Sequence, residues 1–397
     1  MSASGALKGL KVLDFSRVYS GPYCTMLLGD MGADIIKVEA QGKGDDTRYF
    51  YPVKDGESGY YNYFNRSKRS ISLNLKDERG REIAQKLAQW ADVLIENFSP
   101  GTMARLGLGY EDIKKVNPQI IYASISGFGQ SGPYRDKVAY DGVAQAIGGM
   151  MSLTGEAGGI PLKTGPAISD AATGVHCALA IMSAIYNRMQ NNGPGQYIDV
   201  SLMDTVFSIL ENGVPIYTVL GTNPTRMANT NPGSAPYNMY KSKDDYVIIA
   251  TANDNLFHKL AGVMKQPELL DIPEFKTNFS RKEHQPQIDA IVEKWTTQNT
   301  TAELEKMLDA AGVPVSPIKT VEQLCEDPHI KHRNMLVELE HPVLGKVKYP
   351  GNPINLSETP VKVNRRAPLL GEHNNEILNG LGYSDSDIAR LKEEKVI

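Results

Sequence analysis

Apolar and polar positions along the first two hundred residues follow two periods. Leu10–Phe15, Asp34–Glu39, Val93–Glu96 and Ile120–Ser126 are short apolar runs, and Ser70–Leu75 alternates with period two, as strands do. Between them, the stretch from Gly21 to about Met31, and Asp77–Trp90 with Ile83, Leu87 and Trp90 on one stripe, carry helical spacing. Strands separated by helices need crossover connections, so the pattern predicts an α/β fold with a mostly parallel sheet. Ala171–Met189 is apolar nearly all round, through Val175, Leu179, Ile181, Met182 and Ile185, which predicts a helix buried inside a large domain. Asn191–Gly195 stops it, and Gln196–Val200 reads as a further strand.

The texture then changes. Gly221–Pro236 is dense in Asn, Pro, Gly and Thr, the composition of a linker. Asn238–Tyr240 and Tyr246–Thr251 flank a polar turn and predict a hairpin, followed by helical patterns at Asn255–Lys265, Gln285–Trp295 and Thr301–Ala311. This predicts a small α+β domain of about 100 residues. Strand-like pieces at Leu336–Glu340 and Lys346–Tyr349 precede two closing helices, the second opened by Ser384 with Asp387 three residues on, a capping-box pattern.

Composition narrows the chemistry. The 397 residues carry 42 Lys and Arg against 46 Asp and Glu, a net charge of −4, which excludes a broad surface for nucleic acid or an anionic membrane. Three cysteines far apart and seven histidines without HExxH spacing predict neither a disulfide framework nor a zinc site. No run approaches the roughly 18 apolar residues of a membrane span, and the start lacks signal-peptide and transit-peptide patterns. The expectation is a cytoplasmic, metal-free protein.

A strand, a turn, a helix and a second strand ending in Glu39 would suit a dinucleotide site. Yet the turn reads Ser16-Arg-Val-Tyr-Ser-Gly-Pro22 rather than GxGxxG, and Arg17 and Tyr19 are too bulky for a pyrophosphate to approach the backbone. A Rossmann-like fold with a different ligand is expected.

Eight strings occur in one order: Ser16–Pro22, Gly29–Glu39, Gly44–Arg48, Asn65–Ser70, Glu96–Gly101, Ser126–Pro133, Gly193–Gln196 and Arg366–His373. Together they resemble the class III CoA-transferase family (CaiB/BaiF type), which includes formyl-CoA:oxalate transferases and 2-methylacyl-CoA racemases. The pattern is most similar to the succinate–hydroxymethylglutarate CoA-transferase branch. The resemblance implies a discontinuous large Rossmann-like domain (1–200 and 330–397, with linkers near 201–235 and 320–350) and a small α+β domain (236–325). It also implies an interlocked homodimer, with acyl-CoA and a carboxylic acid as substrates and no permanently bound cofactor.

Residue by residue, the resemblance makes Asp170, in Thr164–Asp170, the nucleophile. On the residues alone, Asp170 is as readily the cap of the helix that follows, and Ser169 could serve equally. Val18, Lys76, Asn97, Arg105 and Tyr140 match CoA-contacting positions, and Arg48 is a further candidate for a phosphate. Racemases of the family carry His before Asp where this chain has Tyr140-Asp141, so transfer is expected rather than racemisation; a catalytically inert acyl-CoA-binding protein is the alternative from another class. Arg17, just past the first strand, is expected to read the distal carboxylate of a dicarboxylic acid such as succinate, or else to pair with Asp14 or a surface acid. Ala40 stands where the family often has a basic residue. Only Gly233 occurs in Asn229–Pro236, where the oxalate enzymes have a run of glycines, so oxalate is not expected as the acid.

Overall fold

A computed structural model describes residues 5–363 and 365–397; the first four, part of the start read above, lie outside the described residues. The chain divides into two units, Met1–Met150 with Lys163–Pro215 and Pro328–Ile397, and Met151–Leu162 with Ile216–Asp327.

The first unit is built on six strands: β1 (Lys11–Asp14), β2 (Asp34–Ala40), β3 (Lys68–Leu73), β4 (Val93–Glu96), β5 (Ile121–Ser126) and β6 (Tyr197–Ser201). Their order is β3-β2-β1-β4-β5-β6, and every pair is parallel. This is a doubly wound arrangement. The order reverses between β1 and β4, so the loops leaving their carboxyl ends run to opposite faces and open a crevice there. Parallel strands covered on both faces read as the continuous apolar runs seen in the sequence. One face packs Leu13, Ile71 and Leu94 under helix α2 (Glu78–Trp90), whose inward stripe is Ile83, Ala84 and Leu87. The other packs Val12, Ile35 and Ile95 under α1 (Ser20–Asp30) and the long α5 (Ile168–Asn191); a short α3 (Thr102–Arg105) and α4 (Asp141–Ile147) lie between in sequence.

Helix α5 is long and apolar enough, by length and composition, to cross a membrane. Only one of its faces is packed, however: Cys177, Ile181 and Ile185 are buried, while Leu179 is 64% and Met189 74% exposed. The expectation of a helix buried all round is thus corrected. Within one chain the sheet and α1 cover a single stripe, and Val175, Leu179, Tyr186 and Met189 form an apolar stripe facing away from it.

The second unit holds a three-stranded antiparallel sheet, β7 (Tyr237–Lys241), β8 (Tyr246–Ala250) and β9 (Val315–Pro317), in the order β9-β8-β7. Helices α6 (Asp254–Met264), α7 (Gln285–Thr296) and α8 (Thr301–Ala311) close its core around Val247, Ile249, Phe257, Leu260, Val292 and Leu304. A capping box at Thr300 and Glu303 starts α8. Residues 151–162 belong here although far off in sequence. The Leu162 N–H donates to Thr154 C=O (3.0 Å), the Ala228 N–H to Gly155 C=O (3.0 Å) and the Arg226 guanidinium to Gly159 C=O (2.6 Å). No local periodicity announces such a detour.

The centre of the large sheet is charged. Asp14, fully buried, accepts from Ser16 N–H (2.8 Å), Thr25 Oγ1 (2.6 Å) and Lys68 Nζ (3.0 Å), and from the Ser16 hydroxyl. Burial by itself raises the Asp14 pKa, but Lys68, Lys37 and the two hydroxyls outweigh it and hold the carboxyl below its ordinary value. Asp14→Asn should leave the Lys68 ammonium unmatched and cost about 3–5 kcal/mol of stability. Urea unfolding measures this; a loss within error of zero would mean the pair does not support the fold.

Candidate active site

The turn after β1 is held by three side chains, from β2, from the loop after β2 and from the end of β4. Lys37, in the middle of β2, donates to Ser16 C=O (2.7 Å) and pairs with Asp45 (2.9 Å). Asn97, just past β4, accepts from Arg17 N–H (2.8 Å) and donates to Arg17 C=O (2.7 Å). Asp45 accepts from Val18 N–H (3.3 Å). Between these clamps Val18 has φ 68°, a left-handed conformation that a β-branched residue adopts at a cost of about 1–3 kcal/mol. Gly21 follows because a Cβ there would lie 2.2 Å from the Ser16 Cβ. Burial raises the Asp45 pKa, yet Lys37 and the Thr47 donors bring it down to about 2.

The turn delivers Ser20 to the start of α1, against α5. The helices approach closely because position 174 is Gly; a Cβ there would stand 2.7 Å from Ser20 C=O and 3.4 Å from Cys24 N. One helical turn before Gly174 is Asp170. The sequence left open whether Asp170 caps its own helix. It does not, since the cap comes from α4. Asp141 Oδ1 accepts from Ser169 N–H (2.9 Å), Ser169 Oγ (2.5 Å) and, weakly, Asp170 N–H (3.4 Å). Gln145, itself buried, donates to Asp141 Oδ2 (2.7 Å) while its carbonyl accepts from Thr164 N–H (3.0 Å). The Asp170 carboxylate is therefore free of capping duty, and the Ser20 hydroxyl beside it favours its charged form. Burial first, and the Asp141 charge second, push its pKa up to about 7 against the lowering by Ser20. Tyr19 and Tyr60 stand near enough to feel the Asp170 charge, which adds to the burial that raises both phenols.

Along the carboxyl ends of β1, β2 and β3 runs a cavity of about 580 Å³ lined by Arg17, Lys43, Lys76, Leu75, Phe98 and Thr102 among others. Arg17 lies 51% exposed over the Phe98 ring (5.4 Å), with a long contact to Asp46 (3.5 Å) rather than to Asp14. Among the described residues, Lys76 and Arg105 have no carboxylate within ion-pair distance; Arg105 donates to Thr102 Oγ1 (3.0 Å). Asp170 does not line this cavity, but Ser16 and Arg17 do, and Ser20 links the same turn to Asp170.

Two other candidates sit differently from what a ligand role needs. The Arg48 guanidinium grips both oxygens of buried Glu39 through Nε and Nη2 (2.8 and 2.7 Å), and Nη2 also donates to Tyr61 Oη (2.6 Å) and Pro368 C=O (3.2 Å), so these two nitrogens are spent on the protein. Asn97 spends its amide on the Arg17 backbone. Tyr140 is 75% exposed, directly before Asp141. Residues missed in the sequence are Ser20, Lys37, Asp45, Asp141 and Gln145. A lysine inside the apolar run of Asp34–Glu39 was a usable signal for Lys37; the others depend on loops that meet only in the fold. A further cation, Arg135, points with Arg105 at Gly101, their guanidinium nitrogens 3.6 and 3.3 Å from where its Cβ would be.

Residues 7–374 match CoA-transferase family III. The chain is 37% identical to human succinyl-CoA:glutarate CoA-transferase, over 98% of this chain and 90% of that protein. It is 39% identical to succinyl-CoA:mesaconate CoA-transferase of Haloarcula marismortui, over 98% of this chain and 100% of that protein. A CaiB/BaiF family protein from Brucella suis, solved by crystallography, superposes with a TM-score of 0.85 at 39% identity, covering 95% of this chain and all of that one.

The raised Asp170 pKa carries a stability signature. Its folded value, about 7, exceeds the ordinary carboxyl value of 3.8, so the folded state favours the protonated acid. Stability is therefore lost as pH rises from about 4 to about 7 and is level beyond. Asp170→Asn should be more stable than the parent at pH 8, by about 1–3 kcal/mol, with the gain vanishing near pH 4. Thermal unfolding at the two pH values measures the difference.

Proposed function

Because the chain belongs to CoA-transferase family III, we propose that Asp170 is the nucleophile through which it moves CoA from an acyl-CoA to a carboxylic acid. The observation that carries this reading is a carboxylate relieved of capping by Asp141, with the Ser20 hydroxyl beside it, and held with a pKa of about 7 at the amino end of a long helix. Near neutral pH such a group is ionised in a large fraction of molecules. Desolvation also makes it more reactive than a carboxylate in water.

The residue type suits the task. The Asp170 carboxylate adds to the acyl-CoA carbonyl, and expulsion of CoA thiolate leaves a mixed anhydride. The thiolate attacks the aspartyl carbonyl, releasing the donor acid and leaving an aspartyl-CoA thioester. The acceptor carboxylate attacks that thioester and displaces the thiolate. The thiolate then attacks the acceptor's acyl carbon, giving the new acyl-CoA and free Asp170. No water enters, so the thioester's energy is retained. Each addition builds an oxyanion that needs a fixed donor; the first N–H groups of α5 are taken by Asp141, Pro166 and Ala167, which leaves the Ser20 hydroxyl as the candidate beside Asp170.

Lys76 and Arg105, with Arg135 as a neighbour, are the cations available for the CoA phosphates. Arg17, half-exposed at the cavity, is the candidate for a distal carboxylate, in keeping with relatives whose names pair succinyl-CoA with glutarate or mesaconate. The apolar stripe of α5 at Val175, Leu179, Tyr186 and Met189 supports a homodimer, since a second copy would cover it. The interlocked form of that dimer rests on the resemblance.

Asp170→Ser should fold normally and transfer no CoA, and acyl-CoA with hydroxylamine should label Asp170 in the parent; retained transfer in the variant would sink the assignment. The acidic limb of kcat should lie near pH 7. Asp141→Asn removes a negative charge from beside Asp170 and should move that limb to lower pH, whereas an unmoved limb would mean another group titrates. Arg17→Ala should raise KM for succinate by about 10-fold or more while leaving a monocarboxylic acid within about 2-fold, the loss expected of a charged hydrogen bond. Equal effects on both acids would rule out the carboxylate role.

A further inference from the structure

The crevice where the strand order reverses is bridged by one side chain. Asn97 leaves β4 and Arg17 leaves β1, on the two sides of the reversal, and the Asn97 amide uses both of its polar atoms on the Arg17 backbone, accepting from N–H at 2.8 Å and donating to C=O at 2.7 Å. The next residue, Val18, stands at φ 68°. Its N–H is taken by Asp45 from the opposite side (3.3 Å), and the residue before Arg17 is fixed through Ser16 C=O by Lys37 (2.7 Å). A valine does not remain left-handed unless its surroundings over-determine it. Here three consecutive backbone units are each held by a side chain from elsewhere in the fold.

The consequence lies two residues further on. The direction in which the chain leaves Val18 sets where α1 begins, and Ser20 at its first position packs against α5 at Gly174, one helical turn from Asp170, with its hydroxyl favouring the charged form of that carboxylate. If Val18 relaxed to an extended conformation, the Arg17 side chain and Ser20 would both be re-aimed. We infer that Asn97 is a positioning residue rather than a CoA ligand: it holds the left-handed turn at Val18 that aims Ser20 at Asp170 and Arg17 at the cavity. This inference rests on Asp170 being the nucleophile, but its structural half does not.

The test exploits glycine, which occupies the left-handed region without strain. Asn97→Ala should lower kcat roughly 10- to 100-fold, as displacement of reacting groups by about an ångström does. CoA binding by calorimetry should stay within about 2-fold, since Lys76 and Arg105, the cations available for its phosphates, lie outside the turn. Asn97→Asp, which keeps the acceptor for Arg17 N–H and loses the donor, should fall between; its near-isosteric side chain keeps the comparison valid if the alanine variant folds poorly. Val18→Gly placed in the Asn97→Ala background should restore most of the lost kcat, because the turn no longer needs holding. A rise in the dissociation constant for CoA with kcat preserved, or a double variant no better than Asn97→Ala, would overturn the inference. The crystal structure of Asn97→Ala reads the clamp without turnover. Val18 found outside the left-handed region supports it and Val18 unmoved refutes it, even if the parent protein proved to transfer no CoA and the functional reading failed on its own.

Discussion

The structure turns on charge taken out of water around the turn that leaves β1. Asp14 with Lys68, Lys37 with Asp45, and Glu39 with Arg48 are all inside the protein, within the span of three neighbouring strands. Each ion alone would cost several kcal/mol to bury, and pairing offsets that cost without guaranteeing any surplus. Their value is geometric. A hydrophobic contact tolerates sliding by an ångström; a lysine that must satisfy a carboxylate and a backbone carbonyl at the same time does not. Lys37 does this for Ser16 C=O and Asp45, and Asp14 collects four donors around the first turn.

That rigidity lets the turn hold a conformation it would otherwise leave. The close packing of α1 on α5 through Gly174 then carries the position of the turn to Asp170. Helix α4 contributes in the same sense: by capping α5 with Asp141, backed by Gln145, it leaves the Asp170 carboxylate without a capping role. The same Asp141 charge, added to burial, raises the Asp170 pKa toward neutrality. A single side chain thus completes a helix end and tunes the carboxylate beside it.

Much of the fold was visible in the amino-acid pattern. The six strands of the large sheet and helices α2 and α5 fall within a few residues of where periodicity places them, because a parallel strand covered on both faces must be an apolar run and a covered helix must show a stripe. The capping box at Ser384 and Asp387 was equally legible, being a contact between residues three apart. The excursion of residues 151–162 into the second unit was not, since the hydrogen bonds that tie it there, from Arg226 and Ala228, come from more than sixty residues away. Nor was the bare face of α5: an all-round apolar helix looks the same whether its second face meets its own domain or stands open.

The site divides along the same line. Asp170, the cations Arg17, Lys76 and Arg105, and the turn that is wrong for a dinucleotide are properties of residue type and local order, and the sequence by itself determined them, along with membership of the family. Only the tertiary structure decided what those side chains are free to do. Arg48 has the charge a phosphate wants but is closed around Glu39, Asn97 is turned onto a backbone eighty residues away, and Asp170 is released from capping by a helix that the sequence places nearly thirty residues earlier. The physical reason is that charge and hydrogen-bonding capacity belong to a residue, whereas the partner that consumes them is chosen by which loops the strand order brings together.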